Sequence, residues 1–198
     1  MGAITATTDL VALKKIFNDP GTVLFSKASY DLSKGSHESP LTLTFDYRLP
    51  VTVDTFQFTQ SDPTINHYKI IGMTGDWTSS ATMGDTSIQF TVPTVSEEAL
   101  KMAYGDDAVT TQQGGIKIGT DVYDATSLVL KKHKVTGTIA IVASNDTDIM
   151  LISGGAIYAK LLYDKPGTDP FAIQFTGGLE LDGDKPSVQW LTNPTKGA

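Results

Sequence analysis

Residues 93–105 read Pro93-Thr94-Val95-Ser96-Glu97-Glu98-Ala99-Leu100-Lys101-Met102-Ala103-Tyr104-Gly105. This stretch predicts one helix over 95–104. Thr94 has the side chain of an N-cap, and Glu97 three residues on completes a T-x-x-E capping box. Glu97 and Glu98 place negative charge in the first turn, and Lys101 follows Glu97 at i,i+4. Val95, Ala99, Met102 and Ala103 recur on one face, widened by Leu100 and Tyr104. Gly105 suits a left-handed position just past the helix end, after which Asp106-Asp107 leads the chain away. About ten residues are too few to form a stable helix in water, so this one must lie on a sheet.

The chain on either side supplies strands. Residues 22–30, 41–49, 51–58, 67–77 and 87–92 precede the helix with alternating or β-rich patterns. Leu41, Leu43, Phe45, Tyr47 and Leu49 alternate strictly, whereas the parity of 51–58 changes at Asp54-Thr55 and predicts a bulge or bend. Residues 78–85 are expected as a turn and 106–115 as a polar loop. Strands are then expected over 116–123, 127–130, 135–143, 149–163 (in two pieces divided at Gly154-Gly155), 171–181 and 187–191. No linker divides this series. The expected fold is mainly β, a β-sandwich or barrel-like pair of sheets with one packed helix. The boundaries expected are an arm over 1–20, a single domain over 21–192 and a tail over 193–198. Leu10, Leu13, Ile16 and Phe17 permit a short helix over 8–17, and an extended arm ordered against a neighbour remains the alternative.

Composition narrows the functional classes. The 198 residues are 40% hydrophobic, enough for a packed core. Threonine occurs 27 times beside 18 Gly and 9 Pro, a balance that leans towards strands and turns. There is no cysteine, which excludes disulfides, thiolate metal sites and a cysteine nucleophile. The net charge is −7 and Arg48 is the sole arginine, so a grip on duplex DNA through a basic surface is disfavoured. No signal peptide or myristoylation pattern is read at the start, and the apolar stretch 149–163 is too short and interrupted to span a bilayer.

No catalytic constellation is legible. His37, His67 and His133 stand apart without partners at metal-ligand spacing. Ser36-His37-Glu38 holds the residue types of a triad, but adjacency is not triad geometry, and neither a nucleophile elbow nor a phosphate loop is present. Asn145-Asp146-Thr147-Asp148 and Asp182-Gly183-Asp184 offer oxygens, but fall where hairpins need turn residues. Lys131-Lys132-His133-Lys134 reads as a solvated turn. Trp77 and Trp190 read as core or interface residues. The expectation is therefore a protein without catalytic, cofactor or metal residues.

One passage resembles a known family. Gly75-Asp76-Trp77, Gly84-Asp85-Thr86-Ser87-Ile88-Gln89-Phe90-Thr91-Val92-Pro93-Thr94, Ser96-Glu97-Glu98-Ala99-Leu100 and Tyr104-Gly105 together look like the centre of a bacteriophage major tail tube protein. The resemblance covers about a third of the chain and rests on the order of elements; the strand-rich stretch 116–163 exceeds what a minimal tube domain requires. It implies a structural virion protein, made in the host cytoplasm, whose copies close into hexameric rings and stack into a tube. Its partners would be itself, other tail proteins, and DNA passing through an acidic lumen without specific binding. Leu10, Leu13, Ile16 and Phe17 would then be inter-subunit contacts, and residues 31–40, too poor in apolar side chains to bury themselves, would order only on stacking. Other readings stay open: a capsid decoration or tail-tip module, a carbohydrate-binding sandwich built on Trp77 and Trp190, or a soluble enzyme.

Overall fold

The computed structural model describes residues 20–36, 38–52, 54–144, 147–163, 167–168, 170–180, 185 and 187–192. Leu10, Leu13, Ile16 and Phe17, the expected helix over 8–17, His37, Asn145-Asp146, Asp182-Gly183-Asp184 and the tail 193–198 lie outside the described residues.

The fold is mainly β and sandwich-like, with one α-helix among the described residues. Strands β1 (Pro20–Ser26), β2 (Tyr47–Leu49), β3 (Gln57–Gln60), β4 (Thr64–Tyr68), β5 (Thr78–Thr82) and β6 (Thr86–Val92) precede helix α1 (Glu97–Tyr104). After it come β7 (Val109–Ile118), β8 (Asp121–Leu128), β9 (Val135–Ala143), β10 (Ile149–Leu162), β11 (Ala172–Leu179) and β12 (Val188–Leu191). Eight strands form the main sheet in the order β2-β1-β9-β10-β11-β6-β3, with β12 also on β10. β4-β5 and β7-β8 form separate two-stranded sheets.

The main sheet has to curl. Five strand spacings separate β2 from β6, roughly 24 Å if the sheet were flat. Yet Thr52, three residues beyond the end of β2, donates its N–H to Thr91 O of β6 at 2.9 Å. Three residues reach only about 10 Å, so the two ends of the sheet face each other. The bend lies in β10. It runs unbroken over Ile149–Leu162 instead of in two pieces, pairing with β12 over Ile149–Ile152, with β9 over Ile149–Ile157 and with β11 over Gly155–Leu162, and its β9 register slips between Ser153 and Gly155. The chain between β2 and β3 also bends as predicted: Asp54 has φ 64, and Thr55 N–H returns to Thr52 O.

One core fills the inside of the curl. Phe25, Ile88, Phe90, Ile139, Ile152, Ile173 and Phe175 are each at most 2% exposed. α1 adds Leu100, Met102, Ala103 and Tyr104 to this cluster, with Ala99 half-buried at its margin. Each large apolar side chain buried here contributes about 1.5–3 kcal/mol. The Tyr104 hydroxyl hydrogen-bonds the backbone of Leu161, covering the β10 edge that β9 leaves. Val95 is exposed, so the buried face is shifted from the one expected.

The capping assignment is corrected. Ser96, not Thr94, is the N-cap: its Oγ accepts from Ala99 N–H at 3.3 Å, and the helix starts at Glu97. Thr94 Oγ1 instead accepts from Ser96 N–H and shapes the approach. Gly105 does end the helix with a positive φ of 94, but its ψ of 151 is outside the left-handed helical region, and its N–H reaches Lys101 O. A 3-10 turn over Asp106–Ala108 follows in place of a plain exit. Ser96→Ala should cost about 1 kcal/mol in urea unfolding, and Thr94→Ala clearly less.

A second cluster covers the outer face of β1, β9 and β10: Leu32, Ala140 and Leu151, with Leu24, Tyr30, Leu41, Leu43, Phe45 and Ile149 packed on it. This corrects two expectations. Residues 41–45 are not a strand, and their apolar side chains lie on the opposite side of the sheet from Tyr47 and Leu49. Residues 31–36 are tied into the subunit itself, since Leu32 is 3% exposed and its carbonyl accepts from Gln189 Nε2 at 2.8 Å. Just before them, buried Thr138 Oγ1 donates to Ala28 O and accepts from Tyr30 N–H, while Ser153 Oγ donates to Tyr30 O. Thr138→Val keeps the shape but strands both backbone groups, an expected loss of about 1–3 kcal/mol by chemical denaturation.

Candidate assembly surface

Two arms leave the body of the molecule. The first continues the β3-β6 ladder outwards. Ser61 N–H donates to Asp85 O at 2.9 Å, and β4 and β5 then pair on from Thr64↔Thr82 to Tyr68↔Thr78. A glycine is needed at the root, because a Cβ on Gly84 would stand 1.9 Å from Ser61 O. At the tip, Trp77 N–H donates to Tyr68 O, and His67 Nδ1 lies 2.6 Å from Asp76 Oδ2. Residues 69–77 are thus a closed loop, and 78–82 a strand, the reverse of the sequence reading. Every residue of β4 and β5 is exposed. So are Ile70, Met73, Met83 and Trp77, the last 63% exposed, while Ile71 is bare to solvent.

The second arm is β7-β8. Its root is anchored: Val109 is buried, Leu128 packs on the core, and Val129 N–H donates to Ala108 O. Beyond Gln112 the register shifts by a bulge, held by Gly114 N–H on Asp124 Oδ1 at 2.8 Å. Past the bulge Ile116 pairs with Tyr123 and Ile118 with Asp121, so the two isoleucines and Tyr123 share one face of the tip, all exposed. Residues 109–115 are thus strand rather than the expected loop; Thr110-Thr111-Gln112-Gln113 lacks the apolar alternation that marks a strand in sequence.

Glu97 joins this arm to the helix. It takes Lys101 Nζ at 2.5 Å and the Thr111 hydroxyl at 2.8 Å, rather than reaching back to a cap. These hydrogen bonds, Lys101 first, hold its carboxyl below the usual carboxylate range. A lowered folded value stabilises above the ordinary 4.5 and is lost as pH falls through the lowered one. Acidification below 4.5 should therefore destabilise the native chain more steeply than Glu97→Gln, measured by urea midpoints across that range.

The remaining candidates are scattered. His67 belongs to the first arm and His133 borders a cavity of about 270 Å³ beside the end of α1. Lys101 and Lys134, which line that cavity, are engaged by Glu97 and Glu180. Within the basic run, Lys131 pairs with Asp107 and Lys132 lies over the Tyr158 ring. Among the described residues, no group of three or more His, Asp or Glu is placed to hold a metal ion, and no helix is long and apolar enough to cross a membrane. Trp77 and Trp190 are both exposed and lie on separate elements, the first arm and β12, so neither is a core residue. No protein-family model and no curated protein matches the chain.

Proposed function

We propose that this chain is a structural virion protein, a bacteriophage tail tube subunit whose copies form rings that stack around a channel for DNA. The observation that carries this reading is the pair of arms. A two-stranded sheet standing alone is marginal in water, since three or more strands or a packed face are needed for independent stability. Here two such sheets project with isoleucines, methionines and a tryptophan exposed on them. Apolar surface on that scale marks a contact between proteins. Arms that engage a different surface of the next copy make heterologous contacts, and such contacts build rings and filaments. The resemblance of the 75–105 stretch to tail tube proteins supplies the kind of assembly.

A capsid decoration or tail-tip protein would use the same arms in a closed, small oligomer. A glycan-binding sandwich would use the exposed tryptophans. Light scattering over a concentration series, with and without preformed tail tips as initiator, separates these readings. Continued growth supports the tube subunit. Arrest at a small oligomer points to the decoration or tip module, and a persistent monomer that binds a glycan array overturns assembly as the function.

A further inference from the structure

At one end of the main sheet a row of core side chains is left open. Residues directly opposite each other on antiparallel strands share a face. Leu49, Val23, Ile141 and Met150 stand opposite one another in turn across β2, β1, β9 and β10, and none is more than 8% exposed. The next member of the row is Trp190 of β12, opposite Met150, and it is 57% exposed. Val188, on the same face of β12 and opposite Ile152, does pack on the core. Among the described residues β12 pairs with β10 alone, so its other edge carries no strand. A single exposed tryptophan needs no explanation, but this one extends a buried row that stops at its ring.

We infer that residues 10–17 close this gap on their own subunit, with Leu10, Leu13, Ile16 and Phe17 covering the Trp190 indole. Pro20 stands opposite Ala143, beside Val142; Val142 pairs with Ile149, and Ile149 with Leu191. The residues before Pro20 therefore join the sheet at the end where Trp190 lies. β1 and β12 are three strand spacings apart, roughly 14 Å. Leu13 is seven residues before Pro20, and seven residues reach about 23 Å, so the span is within its range. The chain also leaves β12 at this end, but residues 193–198 have no large apolar side chain to offer. A segment tethered so close acts at an effective concentration of about millimolar order, which a second copy matches only in concentrated solution. Residues 31–36 set the precedent on the outer face, where Leu32 is buried against its own sheet. The four side chains are thus used within one subunit, in place of the inter-subunit contact that the resemblance implies. Nothing in this requires rings or a tube.

Trp77 and Trp190 are the two tryptophans of the chain, so Trp77→Phe leaves the Trp190 indole as sole reporter. Its emission in the full-length chain should be that of a shielded indole, blue-shifted and weakly quenched by acrylamide, and should stay so on dilution. Adding Leu13→Asp and Phe17→Asp should move the emission to the red and raise the quenching constant severalfold, since unpaired carboxylates do not stay against an apolar ring. If the aspartates prevent folding, Leu13→Ala with Phe17→Ala should give the same changes in smaller measure. Emission of a fully hydrated indole before any change in 10–17 overturns the inference. So does shielding that appears only as concentration rises, which would make the cover a neighbour's. Shielding that neither pair of substitutions alters overturns it too, and assigns the cover to another segment.

Discussion

Phe90→Ala is expected to lower the stability of the subunit by about 3–5 kcal/mol, the largest effect of any single truncation considered. Phe90 is 1% exposed and stands between two other rings, 5.0 Å from Phe175 and 6.1 Å from Phe56 by centroid. Phe175 is its cross-strand partner on β11, whereas Phe56 comes from the bend that carries the chain from β2 to β3. The ring therefore ties the sheet to the segment that closes its curl. Removing it opens a cavity that rigid neighbours cannot fill. The midpoint of urea unfolding should fall while its slope stays the same, because the surface exposed on unfolding is unchanged. A loss below about 1 kcal/mol would mean the site collapses freely and is not the centre of the core.

The second large effect concerns assembly and leaves the fold alone. Ile71→Asp with Trp77→Asp places two carboxylates at the tip of the first arm, where both native side chains face solvent in the single subunit. The unfolding midpoint should move by no more than about 0.5 kcal/mol, as for other exposed substitutions. Growth beyond the free subunit should be lost, since a carboxylate buried in a contact without a partner is costly. Unchanged assembly would remove this arm from the interface. A collapse of the monomer's own stability would make the tip part of the fold. Ile118→Asp asks the same of the second arm.

How far the sequence discloses this molecule depends on which physical signal each element carries. The helix was legible because its charges, cap-forming residues and apolar face agree, though two hydroxyls in Thr94-Val95-Ser96 compete for the cap and the pattern favoured the wrong one. The bend at Asp54-Thr55 is legible as an interruption of parity, whereas Gly154-Gly155 marks a register shift within one continuous strand, Ile149–Leu162, rather than the division into two pieces expected. Polar strands were not: β5 is Thr-Ser-Ser-Ala-Thr, and after buried Val109 β7 continues Thr-Thr-Gln-Gln, with no buried face to impose alternation. Residues 41–45 misled for the opposite reason. Their alternation is strict, yet the chain changes sides of the sheet near Asp46, whose N–H bonds Phe25 O, so one apparent face serves two clusters. The arms were invisible as a site because exposure is decided by what a strand fails to pack against. The apolar tips read in sequence as ordinary strand residues.

Whether copies of this chain build a channel, as proposed, can be seen by electron microscopy of the assembled protein. Purified full-length protein at high concentration, with preformed tail tips supplied where growth needs an initiator, should show in negative stain closed rings and stacked tubes with a central stain-filled bore. Fields of single particles of subunit size at every concentration and salt, with or without tail tips, would contradict it.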